Sequence, residues 1–293
     1  MLLVADNVSF GFPDKPVLRD ISLAVQKGEI ISLLGPNGSG KTTLLKTLLG
    51  LYQLDKGQIL FEGRSITSLR KKSLARNIAY VPQVHRASFA YRVIDVVLMG
   101  RIPHKTFFSR ISPADLEIAL DALDKLSILH LKDKPYTQIS GGERQLTLIA
   151  RAMTQEAHIF IMDEPANGLD YGNQIKLLEG LMDLGGEGYT FVKSTHFPDH
   201  ALWIADRVIM LKEGSIIADG APDDVITSDN LFALYGREVN VHSLRENFKV
   251  CIPKKLGNGK RSTVGRSFNS ISNGYPLTLD SSPYTSQRRG EIL

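Results

Sequence analysis

The 293-residue sequence predicts an α/β fold, with a parallel sheet covered by helices, an antiparallel β subdomain ahead of it and a helical insertion within it. Three observations lead there. Short apolar runs broken by turn residues occupy Leu2 to Val25. A buried apolar strand, Ile30 to Leu34, runs through a Gly-rich loop into a segment of helical periodicity. Apolar strands then vanish between Pro82 and Ser140 and return at Ile159 to Met162, Thr190 to Lys193 and Val208 to Leu211.

Each element has its own signal. Leu2 to Phe10, the turn-rich Gly11-Phe12-Pro13-Asp14, Val17-Leu18 and Ile21 to Val25 read as antiparallel strands. From Lys41 to Leu49 apolar residues recur at helical spacing, so strand, loop and helix together open a nucleotide-binding α/β unit. The clearest part of the insertion is a helix from Pro113 to about Leu126. Ser112 caps it, Pro113 fits its first turn, Asp115 holds the capping-box position, and Leu116, Leu120 and Leu123 form one apolar stripe. Strands that are apolar throughout need cover on both faces, which a parallel sheet between helices provides. VNVHSL and KVCIPKK are expected to pair as a closing hairpin. Trp203 is assigned to the core, and Arg70, Lys71 and Lys72 to a solvated face.

Composition narrows the function classes. With 43% hydrophobic and 23% charged residues, the chain has ample material for a core. No apolar run approaches the roughly 18 residues of a transmembrane helix, so work at a membrane requires a partner. MLLVADNVSF lacks a basic n-region and is broken by Asp6, which predicts the cytoplasm. A single cysteine, Cys251, excludes an intramolecular disulfide and thiolate zinc sites. The net charge of +4 invites nucleic acid as a partner, but residues 241–293 carry nine basic and three acidic side chains, leaving the remainder slightly acidic. Most of that basic stretch is the Gly-Ser-Asn-rich segment from Gly257 to Leu293, read as a disordered tail.

The chemistry gathers at two strand ends. Gly35-Pro36-Asn37-Gly38-Ser39-Gly40-Lys41-Thr42 fits G-x-x-x-x-G-K-[ST] between a strand and a helix. Its backbone N–H groups and the helix N-terminus would cradle phosphates, Lys41 would reach the β- and γ-phosphates, and the Thr42 hydroxyl would bind Mg²⁺. The apolar strand His158 to Met162 ends in Asp163-Glu164, which the fold sets beside that loop. Asp163 is suited to hold Mg²⁺ through water, and Glu164 to orient or deprotonate an attacking water. Ser140-Gly141-Gly142 opens another helix and forms a second small anion-binding turn.

Taken in order, these motifs resemble the ATP-binding cassette (ABC) ATPases over roughly residues 1–255: the phosphate loop, Gln83 in YVPQ, a signature turn at Ile139 to Glu143, Asp163-Glu164, Asn167-Gly168-Leu169-Asp170, and His196 in STH. The resemblance implies a P-loop NTPase core, a helical subdomain at about 84–157, and a tail at 256–293 outside the domain. It also implies Mg²⁺-dependent ATP hydrolysis in a head-to-tail dimer, with ATP between the phosphate loop of one copy and the signature turn of the other. Phe12 would stack on adenine, and Gly35, Pro36, Asn37, Gly38, Ser39, Gly40, Lys41, Thr42 and Thr43 would bind the nucleotide. Thr42, Gln83 and Asp163 would serve the Mg²⁺ ion, and Gln83 would also sense the membrane partner. Ser140, Gly141, Gly142 and Glu143 would form the signature contact in trans, Asp170 would cross the dimer interface, and Glu164, His196 and Lys41 would be catalytic. Two residues depart from the family pattern: Ile139 stands for the usual Leu, and Glu143, expected to weaken ATP-driven closure, stands for the usual Gln.

Cassettes that act in DNA repair or chromosome organisation carry a long coiled coil, and translation factors carry two cassettes. Here the insertion is short, without sustained heptads, and each motif occurs once. The expectation is therefore a stand-alone subunit that pairs with itself and docks on separate transmembrane permease subunits at the cytoplasmic face of the cell membrane, with no specific nucleic acid. The stretch from Ser88 to Arg101, followed by Pro103-His104, resembles the post-Gln region of importers for iron-siderophore, haem, cobalamin and molybdate or tungstate. Cargo would come from an extracytoplasmic substrate-binding protein. Tyr91 and Arg101 are expected in the groove for the permease, while Val93, Val96 and Val97 also suit a core. A zinc or manganese importer ATPase, or a non-transport ABC ATPase acting on nucleic acid or ribosomes, is the alternative.

Overall fold

The unbroken apolar runs become a central sheet. The computed structural model describes residues 1–83, 90–106, 109–243 and 249–254, all within one unit, Met1–Lys254. The expected tail at 256–293 and residues 84–89 of the post-Gln segment lie outside the described residues.

In chain order the strands are β1 (Leu3–Phe12), β2 (Lys15–Val25), β3 (Ile30–Leu34), β4 (Lys56–Phe61), β5 (Arg64–Ser65), β6 (Ile78–Val81), β7 (Ile159–Met162), β8 (Thr190–Thr195), β9 (Arg207–Lys212), β10 (Ser215–Gly220), β11 (Val239–Ser243) and β12 (Lys249–Pro253). The central sheet runs β10-β9-β3-β8-β7-β6, parallel from β9 to β6 with β10 antiparallel at one edge. A second, antiparallel sheet runs β2-β1-β4-β5, and β11 pairs with β12 as the sequence led us to expect.

Every residue of β3, β7 and β8 is buried. The runs are continuous because the sheet is covered on both sides, yet the period of two persists. Ile159, Ile161 and Val192 face the antiparallel sheet and the helix Lys41–Leu48, whereas Phe160, Met162 and Phe191 face the helices of the insertion and the helix Tyr171–Gly186. In the antiparallel sheet, β2 alternates, burying Leu18, Ile21, Leu23 and Val25. The strands β4 and β5 carry too few core-facing residues to be legible beforehand; β4 buries only Ile59 and Phe61.

The helix Pro113–Lys125 forms with the expected capping box, Ser112 N–H donating to Asp115 Oδ2 at 2.8 Å and Asp115 N–H to Ser112 Oγ at 3.3 Å. Its buried stripe differs from the expected one: Leu116 is exposed, and Ala119, Ala122 and Leu123 make the inner face, with Leu120 partly buried. The cause is Asp115, which is itself buried because it accepts from Arg101 Nε at 3.0 Å and from Lys105, rotating the helix toward that ion pair. Arg101 is thereby corrected as well. It is 7% exposed, donates also to Thr154 O at 2.7 Å and Glu156 Oε2 at 2.6 Å, and cross-links the insertion instead of lining a groove. Tyr91 is exposed, and Val93, Val96 and Val97 are core. Trp203 packs against the main cluster, and Arg70, Lys71 and Lys72 are exposed.

One core residue runs against composition. Lys193 in β8 is 1% exposed and makes no hydrogen bond or ion pair among the described residues. Burial pulls its pKa from 10.5 down to about 7. Because the folded value lies below the unfolded one, the unfolded chain binds more protons between those pH values; stability rises with pH through that window, and the full cost of the buried amine is present below it. Lys193→Met is therefore expected to raise the unfolding midpoint, most at about pH 6 and progressively less toward about pH 9; thermal melts across that range check it.

Candidate functional site

The phosphate loop is built on the end of β3. A Cβ on Gly35 would stand 2.3 Å from Leu211 O and 2.7 Å from Ser39 Oγ, so no side chain fits there. Gly40, the residue before the helix Lys41–Leu48, has φ 107°, a conformation that glycine adopts at little cost. Lys41 is 5% exposed and folds over the loop, donating to Gly35 O at 2.7 Å and Pro36 O at 3.1 Å, with Glu164 Oε1 3.5 Å from its Nζ. Burial lowers the Lys41 pKa, and the carboxylates of Glu164 and Asp163 oppose that shift. Ser39 Oγ is buried without a hydrogen-bond partner among the described residues.

The carboxylates follow β7. Asp163 is 3% exposed, and its Oδ1 accepts from Thr42 Oγ1 at 3.0 Å and from Ser194 Oγ at 2.8 Å. Ser194 Oγ in turn accepts from Glu164 N–H at 2.8 Å. This serine, missed in the sequence although it belongs to the STH segment, ties both acids to β8. Glu164 sits at φ 46°, unusual for a non-glycine residue, a strain that aims its carboxylate toward the loop. Its Oε2 accepts from Gln83 Nε2 at 2.9 Å and Asn167 Nδ2 at 3.2 Å, and His196 Nδ1 lies 3.4 Å away without an aligned hydrogen bond.

Phe12 is 47% exposed, its ring edge-on to Phe10 and Tyr52. It forms one wall of a cleft of about 430 Å³ whose other walls include Asn37, Gly38, Gly40, Lys41, Thr42, Thr43, Gln83 and Glu164. The cleft brings together all the expected nucleotide residues except Gly35, Pro36 and Ser39, and it adds Lys15 and Val17. Thr42 Oγ1, Asp163 and the Gln83 amide offer oxygen ligands, a donor set that fits Mg²⁺.

The ABC transporter family profile matches residues 18–167, half of the chain. The chain belongs to this family. It is 36% identical, over 80% of its own length and 87% of the relative's, to the molybdate import ATP-binding protein of Haemophilus influenzae. It is 34% identical, over the same shares, to the ferric enterobactin transport ATP-binding protein of Escherichia coli. A solved metal-chelate type ABC transporter in an inward-facing conformation superposes with a TM-score of 0.76 at 33% identity, covering 87% of this chain and 99% of that one. ABC ATP-binding subunits hydrolyse ATP to power transport, and this chain is an ATPase of that kind.

Within this ABC ATPase, the signature turn does not line the cleft. Ser140 and Gly141 are exposed at the start of the helix Gly141–Met153, next to the turn that holds Asp170: a Cβ on Gly142 would stand 3.1 Å from Asn173 Nδ2. Asp170 is exposed and caps the helix Tyr171–Gly186, accepting from Asn173 N–H at 2.9 Å. Glu143 is turned back on its own helix start, accepting from Ser140 N–H at 2.7 Å while its N–H donates to Ser140 Oγ at 3.2 Å. The backbone bond from Ser140 holds the Glu143 carboxyl below its usual range, so the charge that departs from the family pattern is engaged locally.

The bridge through Ser194 is testable. Ser194→Ala leaves the Glu164 N–H unpaired and removes one donor from Asp163, and steady-state ATPase assays are expected to show kcat reduced by roughly tenfold or more, with ATP affinity changed less.

Proposed function

We propose that this chain is the ATP-hydrolysing subunit of an importer for a metal chelate or an oxyanion such as molybdate. The observation that carries the proposal is its likeness, over 87% of its length, to a metal-chelate type ABC transporter. The names of the Haemophilus and Escherichia relatives, molybdate import and ferric enterobactin transport, point to the same class of cargo.

In this reading two copies close head to tail over two ATP molecules. Phe12 stacks on adenine. The N–H groups of Gly35 to Thr43 surround the phosphates, and Lys41 exchanges its bonds to the Gly35 and Pro36 carbonyls for phosphate oxygens. Thr42 and, through water, Asp163 hold Mg²⁺ together with Gln83; bound there, the ion offsets the charge of the β- and γ-phosphates. Glu164 takes the proton of the attacking water and His196 contacts the γ-phosphate. Ser140, Gly141, Gly142 and Glu143 reach the second copy's nucleotide, which agrees with the exposure of Ser140 and Gly141 outside the chain's own cleft, and Asp170 crosses between copies.

Among the described residues no helix is long and apolar enough to cross a membrane. Separate permease subunits at the cytoplasmic face carry the cargo in this proposal, with exposed Tyr91 among the residues that meet them and an extracytoplasmic binding protein as the donor. A strain deleted for this chain is expected to lose uptake of one cargo among iron-siderophore, haem, cobalamin, molybdate and tungstate, and Lys41→Ala should fail to restore it. Unchanged uptake of all five would refute the importer reading.

A further inference from the structure

His196 lies on the short connection between β8 and the helix Pro198–Ile204, which has few ties of its own. Phe197 N–H donates to Thr195 Oγ1 at 3.1 Å, and the Phe197 ring packs on the imidazole with centroids 4.0 Å apart. The other ties come from far along the chain. Tyr235, the last residue of the helix Ser228–Tyr235, donates its hydroxyl to the carbonyl of His196 at 3.1 Å. In β12, Cys251 N–H donates to Asp199 Oδ1 at 2.9 Å, at the first turn of the helix that follows His196. Leu231 and Leu234 share one buried cluster with Ala201 of that helix and with Leu34, the residue before Gly35.

The C-terminal helix and hairpin therefore cover both the strand end that feeds the phosphate loop and the connection that carries His196. A hydrogen bond to a residue's carbonyl fixes the orientation of its peptide plane, and with it the direction in which its Cβ leaves the backbone. Burial raises the Tyr235 pKa, so the hydroxyl remains a donor at any working pH.

We propose that Tyr235 is a positioning residue for ATP hydrolysis: anchored by the C-terminal helix and hairpin, its hydroxyl fixes the His196 carbonyl and so sets the imidazole opposite the Glu164 carboxylate. The inference rests on the reading above that His196 and Glu164 act at the γ-phosphate. It assigns a function to a segment outside every nucleotide motif.

Tyr235→Phe keeps the ring and removes only the donor. In the full-length protein, assayed with MgATP at concentrations that favour the dimer, kcat is expected to fall roughly three- to tenfold, with KM for ATP within about twofold and the unfolding midpoint within a few degrees. In a His196→Ala background the same substitution should produce no further loss. A parental kcat in Tyr235→Phe, an effect confined to KM, or an equal loss in the His196→Ala background would overturn the proposal. Parental activity in His196→Ala alone would instead overturn the catalytic reading of His196. If Tyr235→Phe does not fold, the hairpin contact supplies the test. Asp199→Ala should lower kcat and Asp199→Asn, whose amide oxygen still accepts from Cys251 N–H, should restore it; equal kcat in both variants would overturn the proposal.

Discussion

Parallel register among three strands, β3, β8 and β7, is the constraint from which the site follows. Leu34 pairs with Thr195, and Met162 pairs with Lys193, so the three strands end at nearly the same level. Gly35, Asp163 and His196 then leave the sheet along one edge, which is where open α/β sheets bind their ligands. Side chains in a strand alternate with a period of two, so a slip of one residue would turn Ser194 away from Asp163 and place Lys193 there instead. The double-sided burial of these strands excludes that slip, because it would exchange the residues of the two core faces.

Electrostatics then bind the edge together. Glu164 is the common partner of Lys41, Gln83, Asn167 and His196, drawn from four separate segments of the chain. Buried charge is costly unless it is paired and hydrogen-bonded, and this carboxylate has both kinds of partner. The backbone strain at Glu164 is sustained by the Ser194 bond and by the fixed strand ends on either side. The same logic holds the insertion together, where Arg101 and Asp115 pair out of water. Lys193 is the exception, and its depressed pKa reflects the missing partner.

Much of this was legible in the sequence because the signals were local. The phosphate loop is a contiguous motif, the Asp163-Glu164 pair ends an apolar run, and the Ser112 capping box spans four residues, as does the Ser140–Glu143 turn. What escaped depended on distant partners. β4 joins β1 across 47 to 58 residues and carries only a weak alternating pattern. Leu116 fits the helical stripe by spacing, but the burial of Asp115 against Arg101 decides which face turns inward. Arg101 itself looked like a contact for a partner because a lone arginine gives no sign in sequence of the carboxylates that will neutralise it. Ser194 and Tyr235 are ordinary residues until the fold brings them to Asp163 and His196.

The central claim is that Glu164, held at the edge of the sheet, is the group that activates water for ATP hydrolysis. Single-turnover and steady-state ATPase measurements on Glu164→Gln, made under dimer-forming conditions alongside nucleotide-binding titrations, test it most directly. The account predicts retained ATP binding with hydrolysis slowed by about a hundredfold or more. Hydrolysis as fast as that of the parent would contradict it.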